Sequence, residues 1–120
     1  MNPPRFAIGI DLGTTNCVLA CADLRVNPPR CEVLAVPQVS GLDSVARSPL
    51  LPSFCYFATA DEAAAHQFNP FAGESEAHDP FVVGMFAREQ MNNLPGRVIH
   101  SAKSWLAHAG IDREANILPY

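Results

Sequence analysis

Apolar residues fall in short runs along the first half of this 120-residue chain. Phe6 to Ile10 forms one run and Cys17 to Ala22 a second, and the polar stretch between them is built around Gly13. Each run has the length of a buried strand and is rich in Ile, Val, Leu and Cys. The pattern predicts a β-hairpin over residues 5–22, with a tight turn where glycine's access to positive φ is useful. Asp23 to Pro29 reads as a turn, because Pro28 and Pro29 stop a strand. Cys31 to Val36 reads as a third strand closed by Pro37. Residues 38–51 are polar and broken by Gly41 and Pro49, which predicts a loop, and Ser53 to Thr59 is strand-like again.

The pattern then changes. Residues 60–80 carry Asn69-Pro70, Gly73 and Asp79-Pro80, so they read as a loop or insertion with one brief helix near Ala63 to His66. From Phe81 the spacing turns helical. Met85 to Asn93 is one helix, ended by Pro95-Gly96. Over Arg97 to Ala109, the residues Val98, Ile99, Ala102, Trp105, Leu106 and Ala109 share one arc at ~100° per residue, which predicts a longer helix stopped by Gly110. Asp112 is placed to cap a last short turn before Ile117-Leu118-Pro119-Tyr120. Strands followed by helices argue for an α/β layer. The expected division is strands over 5–59, a loop or insertion over 60–80, and a mainly helical part over 81–120.

Composition narrows the class. Hydrophobic residues make up 48% of the chain, which suits a packed domain. The formal charge is −4 with no basic block, which disfavours nucleic acid or an anionic membrane as partners. No apolar stretch approaches the ~20 residues of a membrane span. The first residues lack the apolar core of a signal peptide, so the expected location is cytoplasmic. Cys17, Cys21, Cys31 and Cys55 include no Cys-x-x-Cys pair and sit among apolar neighbours, as reduced structural thiols do. The histidines show no metal-ligand spacing.

The chemistry concentrates in Asp11-Leu12-Gly13-Thr14-Thr15-Asn16. Successive backbone N–H groups in a turn make an anion-binding concavity, and Thr14 and Thr15 add hydroxyls at its rim. Asp11 puts a carboxylate where a phosphate-bound Mg²⁺ needs an oxygen partner, although it also suits a side chain capping its own turn. The string is not a P-loop, since no Lys-Ser/Thr pair and no helix follow the glycine. Nor is it a dinucleotide fingerprint, because Gly9 and Gly13 are wrongly spaced for one and a strand comes next.

At Ile8-Gly9-Ile10-Asp11-Leu12-Gly13-Thr14-Thr15-Asn16 the chain resembles the superfamily of actin, sugar kinases and 70-kDa heat-shock chaperones, and within it the bacterial DnaK-type chaperones. Leu51-Pro52-Ser53-Phe54-Cys55-Tyr56-Phe57 is similar to the family's Pro-Ser-apolar strand. Val83-Gly84, Ala87, Pro95 and Ile99-His100-Ser101-Ala102-Lys103-Ser104-Trp105-Leu106 are similar to its next conserved stretch, and the three segments occur in the family's order. The resemblance implies a ribonuclease H-like first lobe of an actin-like ATPase domain, incomplete here because it matches only the start of a family member. It implies ATP or ADP and Mg²⁺ as ligands. It carries over Gly13, Thr14, Thr15 and Asn16 as phosphate contacts, Asp11 as a metal ligand, and Lys103 as the catalytic lysine. On the residues alone, Lys103 lies at the boundary of the apolar arc. That suits either a side chain entering a cleft or one laid over the core with its ammonium in solvent.

In the family, the groups that recognise adenine and ribose lie in another lobe. The expectation is therefore a fragment that binds nucleotide weakly alone and hides its uncovered surface by self-association. Unfolded polypeptides and co-chaperones are implied as partners of the whole protein. A sugar kinase of the same superfamily, or a non-catalytic actin-like assembly module, is the alternative.

Overall fold

The computed structural model describes residues 3–72, 79–110, 112, 114 and 115. Over these the chain is a mixed α/β structure of short antiparallel sheets and few helices. The hairpin forms as its pattern predicts. β1 (Phe6–Leu12) and β2 (Asn16–Asp23) pair in one unbroken register, from Phe6 opposite Asp23 to Leu12 opposite Cys17. β3 (Cys31–Val33) pairs with the far edge of β2, with Ala22 opposite Cys31, and stops three residues short of its expected end.

Residues 38–51 are not the expected loop. β4 (Val36–Gly41) and β5 (Ser44–Ser48) form a second hairpin, turning through Leu42 and Asp43, with Asp43 at φ 102°. Gln38, one of the polar residues of this stretch, is buried. Its Nε2 donates to the Leu50 carbonyl (2.8 Å) and its Oε1 accepts the Met85 N–H (3.2 Å). An amide satisfied on both sides is at home in a core. β6 (Leu51–Pro52) then joins the first sheet, with Leu51 opposite Cys17.

The third sheet centres on β7 (Phe54–Phe57), flanked by β8 (Phe81–Val83) and β9 (Val98–His100). β9 corrects the helix expected over Arg97 to Ala109. Pro95–Arg97 make a 3₁₀ turn, Val98–His100 pair with β7, and Ser101 takes a left-handed conformation at φ 53°. Only Ala102–Leu106 is helical, as α3. Val98 and Ile99 are adjacent β-branched residues, which fit a pleated strand better than a helix once an edge of β7 is open to them. α1 (Ala60–Ala65) lies close to the expected brief helix, capped by Thr59 and Glu62, and α2 (Met85–Asn93) matches its expected span. Asp112 does cap a turn, its Oδ1 accepting the Glu114 N–H at 3.0 Å. Residues 73–78 of the expected insertion and the terminal Ile117-Leu118-Pro119-Tyr120 lie outside the described residues. Among the described residues, no helix is long and apolar enough to cross a membrane, and the four cysteines are free thiols.

The core gathers around β7 and α2: Tyr56, Val82, Phe86, Ala87 and Val98 are buried, with Phe68 stacked on Phe86 at 5.8 Å. The Tyr56 hydroxyl donates to Glu62 Oε2 (2.7 Å), which also accepts the Thr59 N–H (2.8 Å). The first hairpin stands outside this core. Every residue of β1 is exposed and every residue of β2 half-buried, contrary to the burial their apolar content implies.

The Tyr56–Glu62 pair has a pH signature. Burial, then the neighbouring Glu62 carboxylate, push the Tyr56 hydroxyl up to about 12. An unfolded tyrosine titrates near 10, so the pair's contribution is complete below pH ~10 and is lost as pH rises towards ~12. Tyr56→Phe is expected to cost about 1.5–3 kcal/mol at neutral pH, the worth of a hydrogen bond to a charged group. Denaturant titrations of both forms should show that difference shrinking above pH ~10; a difference constant through that window would contradict the pairing.

Candidate functional site

The turn from β1 to β2 is Gly13, Thr14 and Thr15, with Asn16 opening β2. Ser53, the single residue between β6 and β7, locks it. Its N–H donates to the Thr15 carbonyl (2.9 Å) and its Oγ to the Gly13 carbonyl (2.8 Å), while Cys17 Sγ lies 3.6 Å from the same hydroxyl. In a trans peptide the N–H points opposite to the carbonyl it shares a plane with. The N–H groups of Thr14 and Asn16 are therefore turned away from Ser53. Gly13 is a glycine for want of room, since a Cβ there would run into the Asn16 carbonyl. The expected reason, positive φ, belongs instead to Gly84 among the described glycines.

Lys103 arrives from the far end of the described chain. Its Nζ donates to the Leu12 carbonyl at 2.9 Å, across 91 positions of sequence. Just before β1 the Arg5 carbonyl accepts the Leu24 N–H, so along β1 the odd-numbered residues turn their backbone groups to β2 and the even-numbered ones turn theirs outward. Leu12 thus presents its carbonyl on the outer side, and the ammonium sits there at the mouth of the turn. β9 and the left-handed Ser101 make this possible by ending the strand and starting a new helix one residue before Lys103.

Between the turn and the third sheet is an open cleft of about 710 Å³, within the range of small-molecule sites. Leu51, Phe54, Val83 and Ile99 make its walls apolar, and Gly13, Thr14, Ser53 and Lys103 put polar groups at one end. Cys55 also lines it. Burial pushes its thiol up, which makes it a neutral wall and not a nucleophile.

Of the residues singled out from sequence, the structure brings Gly13, Thr14 and Lys103 together in this cleft. Thr15, Asn16 and Asp11 do not line it. Asp11 neighbours Leu12 on an extended strand, so its exposed carboxylate projects from the opposite face. Among the described residues, no group of three His, Cys, Asp or Glu converges on a metal-sized site. Mg²⁺ does not require one, since it keeps several waters and uses one or two carboxylates beside phosphate oxygens. Ser53 is the positioning residue that sequence reasoning passed over. Its signal is a lone hydroxyl set between two apolar strand segments. No protein-family model, curated protein or solved structure matches the chain.

Ser53→Ala removes the only donor the Gly13 carbonyl has among the described side chains. The expected cost is about 1 kcal/mol, read as a fall in Tm of roughly 4 °C for a domain of this size. Exchange at the amide that closes the turn, the Ser53 N–H bonded to the Thr15 carbonyl, should accelerate by more than that global change accounts for. Exchange unchanged at the turn would show that Ser53 does not hold it.

Proposed function

We propose that this chain is the opening segment of an ATP-hydrolysing domain of the actin-like, heat-shock 70 type, with the β1–β2 turn as its phosphate grip. The observation that carries the reading is the 2.9 Å contact of Lys103 Nζ with the Leu12 carbonyl. It sets the one lysine of the resembling motif against the turn that the same resemblance assigns to phosphate. Phosphoryl transfer is mainly a matter of positioning and of neutralising charge on the phosphate oxygens. An ammonium and a threonine hydroxyl at an apolar cleft, beside a turn whose Thr14 and Asn16 N–H groups face away from Ser53, have that chemistry.

In this reading the N–H groups of Thr14 and Asn16 hold phosphate oxygens, with the Thr14 and Thr15 hydroxyls at the rim. Lys103 exchanges its carbonyl partner for the charge that develops on the transferred group. Mg²⁺, when bound, would supply charge neutralisation; Asp11, the carboxylate that the resemblance assigns to it, leaves the face of β1 opposite the cleft and is not turned toward a metal held there. The sequential antiparallel order β1–β2–β3 supports a ribonuclease H-like first lobe. ATP turnover coupled to unfolded polypeptides and co-chaperones is what the resemblance in three ordered segments implies, and the cytoplasm is the location expected from the first residues.

The test uses the complete protein that carries this chain. Lys103→Ala should lower kcat about a hundredfold, equivalent to roughly 3 kcal/mol of transition-state stabilisation, with KM little changed. Thr14→Ala should cost less, because the turn's N–H groups remain. Unchanged single-turnover hydrolysis by a folded Lys103→Ala protein would remove Lys103 from the reaction.

A further inference from the structure

A second cavity, of about 320 Å³, opens between β4, β8 and residues 68–71, and it shares only Leu51 and Val83 with the cleft beside Lys103. The wall formed by residues 68–71 is stapled by its own side chains. Gln67 Oε1 accepts the Asn69 N–H (3.0 Å), Asn69 Oδ1 accepts the Phe71 N–H (3.0 Å), and the Asn69 carbonyl accepts the Ala72 N–H (3.2 Å). Just before it, His66 Nδ1 lies 3.0 Å from Asp43 Oδ1 in the β4–β5 turn, and the Phe68 ring is stacked in the core. A wall fixed in this way loses little freedom when a ligand arrives. It nonetheless holds the Phe71 ring 70% exposed, on a cavity that Phe81, 44% exposed, also lines.

We propose that this cavity binds a small quaternary ammonium compound, one with the trimethylammonium head of choline. Three aromatic rings line it, Phe68, Phe71 and Phe81, and a cation near the face of such a ring is attracted by its quadrupole. Asp79 is the one ionisable residue among the described residues that line it, and it makes no ion pair among them. Arg47, opposite Pro37 in β5, is turned to the Ala35 carbonyl and does not line the cavity. The net charge of −4 adds to the pull on a cation. The polar lining selects the kind of cation. The Gln38 amide is bonded at both ends, and the Asn69 oxygen is taken by Phe71, so a single carboxylate remains. A primary ammonium brings three N–H donors and would leave some of them unpaired. A quaternary ammonium has no N–H, and its methyl groups suit apolar walls. At the small end of the range for ligand sites, the volume suits a compact solute. Neither the β1–β2 turn nor Lys103 takes part, so the proposal stands apart from the ATPase reading.

The probe is choline, titrated into the complete chain and read by NMR from the ring resonances of Phe71 and Phe81. Its neutral counterpart is neohexyl alcohol, which has carbon in place of the nitrogen and the same shape. Choline should shift both rings saturably and bind about tenfold more tightly than the alcohol. Phe71→Leu keeps an apolar wall and removes the π face, so it should weaken choline about fivefold and leave the alcohol unchanged. Asp79→Asn should weaken choline and flatten its dependence on salt. Phe71 is exposed, so Phe71→Leu should leave the circular dichroism unaltered, and the comparison of choline with the alcohol needs no variant at all. Rings that do not move overturn the proposal. So does an alcohol that binds as tightly as choline, or a Phe71→Leu loss equal for both. A trimethyllysine peptide that binds more tightly than choline would assign the cavity to a protein partner and overturn the small solute.

Discussion

Ser53 sits at the junction of two sheets. It follows β6, which pairs with β2, and precedes β7, the middle strand of the third sheet. Its backbone N–H and its hydroxyl both close on carbonyls of the β1–β2 turn. Without those two bonds the first hairpin would be tied to the rest chiefly through β6, because β1 and β2 place no residue in the buried core. Each bond is worth about 1 kcal/mol by ordinary measure. Their effect is larger in kind, since together they fix which way the peptides of the turn face. The cleft exists because this junction holds an exposed hairpin against a packed sheet.

The position of Lys103 follows from a second junction. Val98–His100 bond to β7, and the chain reverses at the left-handed Ser101 before α3 begins. A continuous helix through this stretch would present Lys103 on a different arc. The ammonium instead meets the Leu12 carbonyl. The ammonium–carbonyl bond is already charge-assisted, and an anionic oxygen in place of the carbonyl adds the attraction of a full opposite charge. The arrangement holds the ammonium at the turn while leaving it a better partner to take.

The first hairpin was legible in the chain because two apolar runs and a glycine-centred polar turn agree with one another. α2 was legible from its spacing and its Pro95-Gly96 stop. β9 was not, because Val98, Ile99, Ala102 and Trp105 satisfy a helical arc, and only the open edge of β7, a feature remote in sequence, decides for a strand. The β4–β5 hairpin was hidden by a polar stretch broken by Gly41 and Pro49; its polar Gln38 is buried only through Leu50 and through Met85, 47 positions away. The exposure of β1 was hidden for the opposite reason. Apolar content marks a surface that favours a partner and does not say which partner is present. At the site, sequence pointed to Gly13, Thr14 and Lys103, which converge. It gave no warning that Asp11 would face away from them, or that Ser53 would hold the turn in place.

The claim that joins these features is that the turn and Lys103 form one anion site. The most direct measurement is a ¹⁵N-edited NMR titration of the chain with inorganic tripolyphosphate and Mg²⁺, which asks for phosphate binding without the base or sugar. Saturable shifts confined to the amides of Thr14, Thr15 and Asn16, with a matching shift at the Lys103 ammonium, are the predicted result. Shifts absent at the turn, or moving at Lys103 without it, would contradict a shared site.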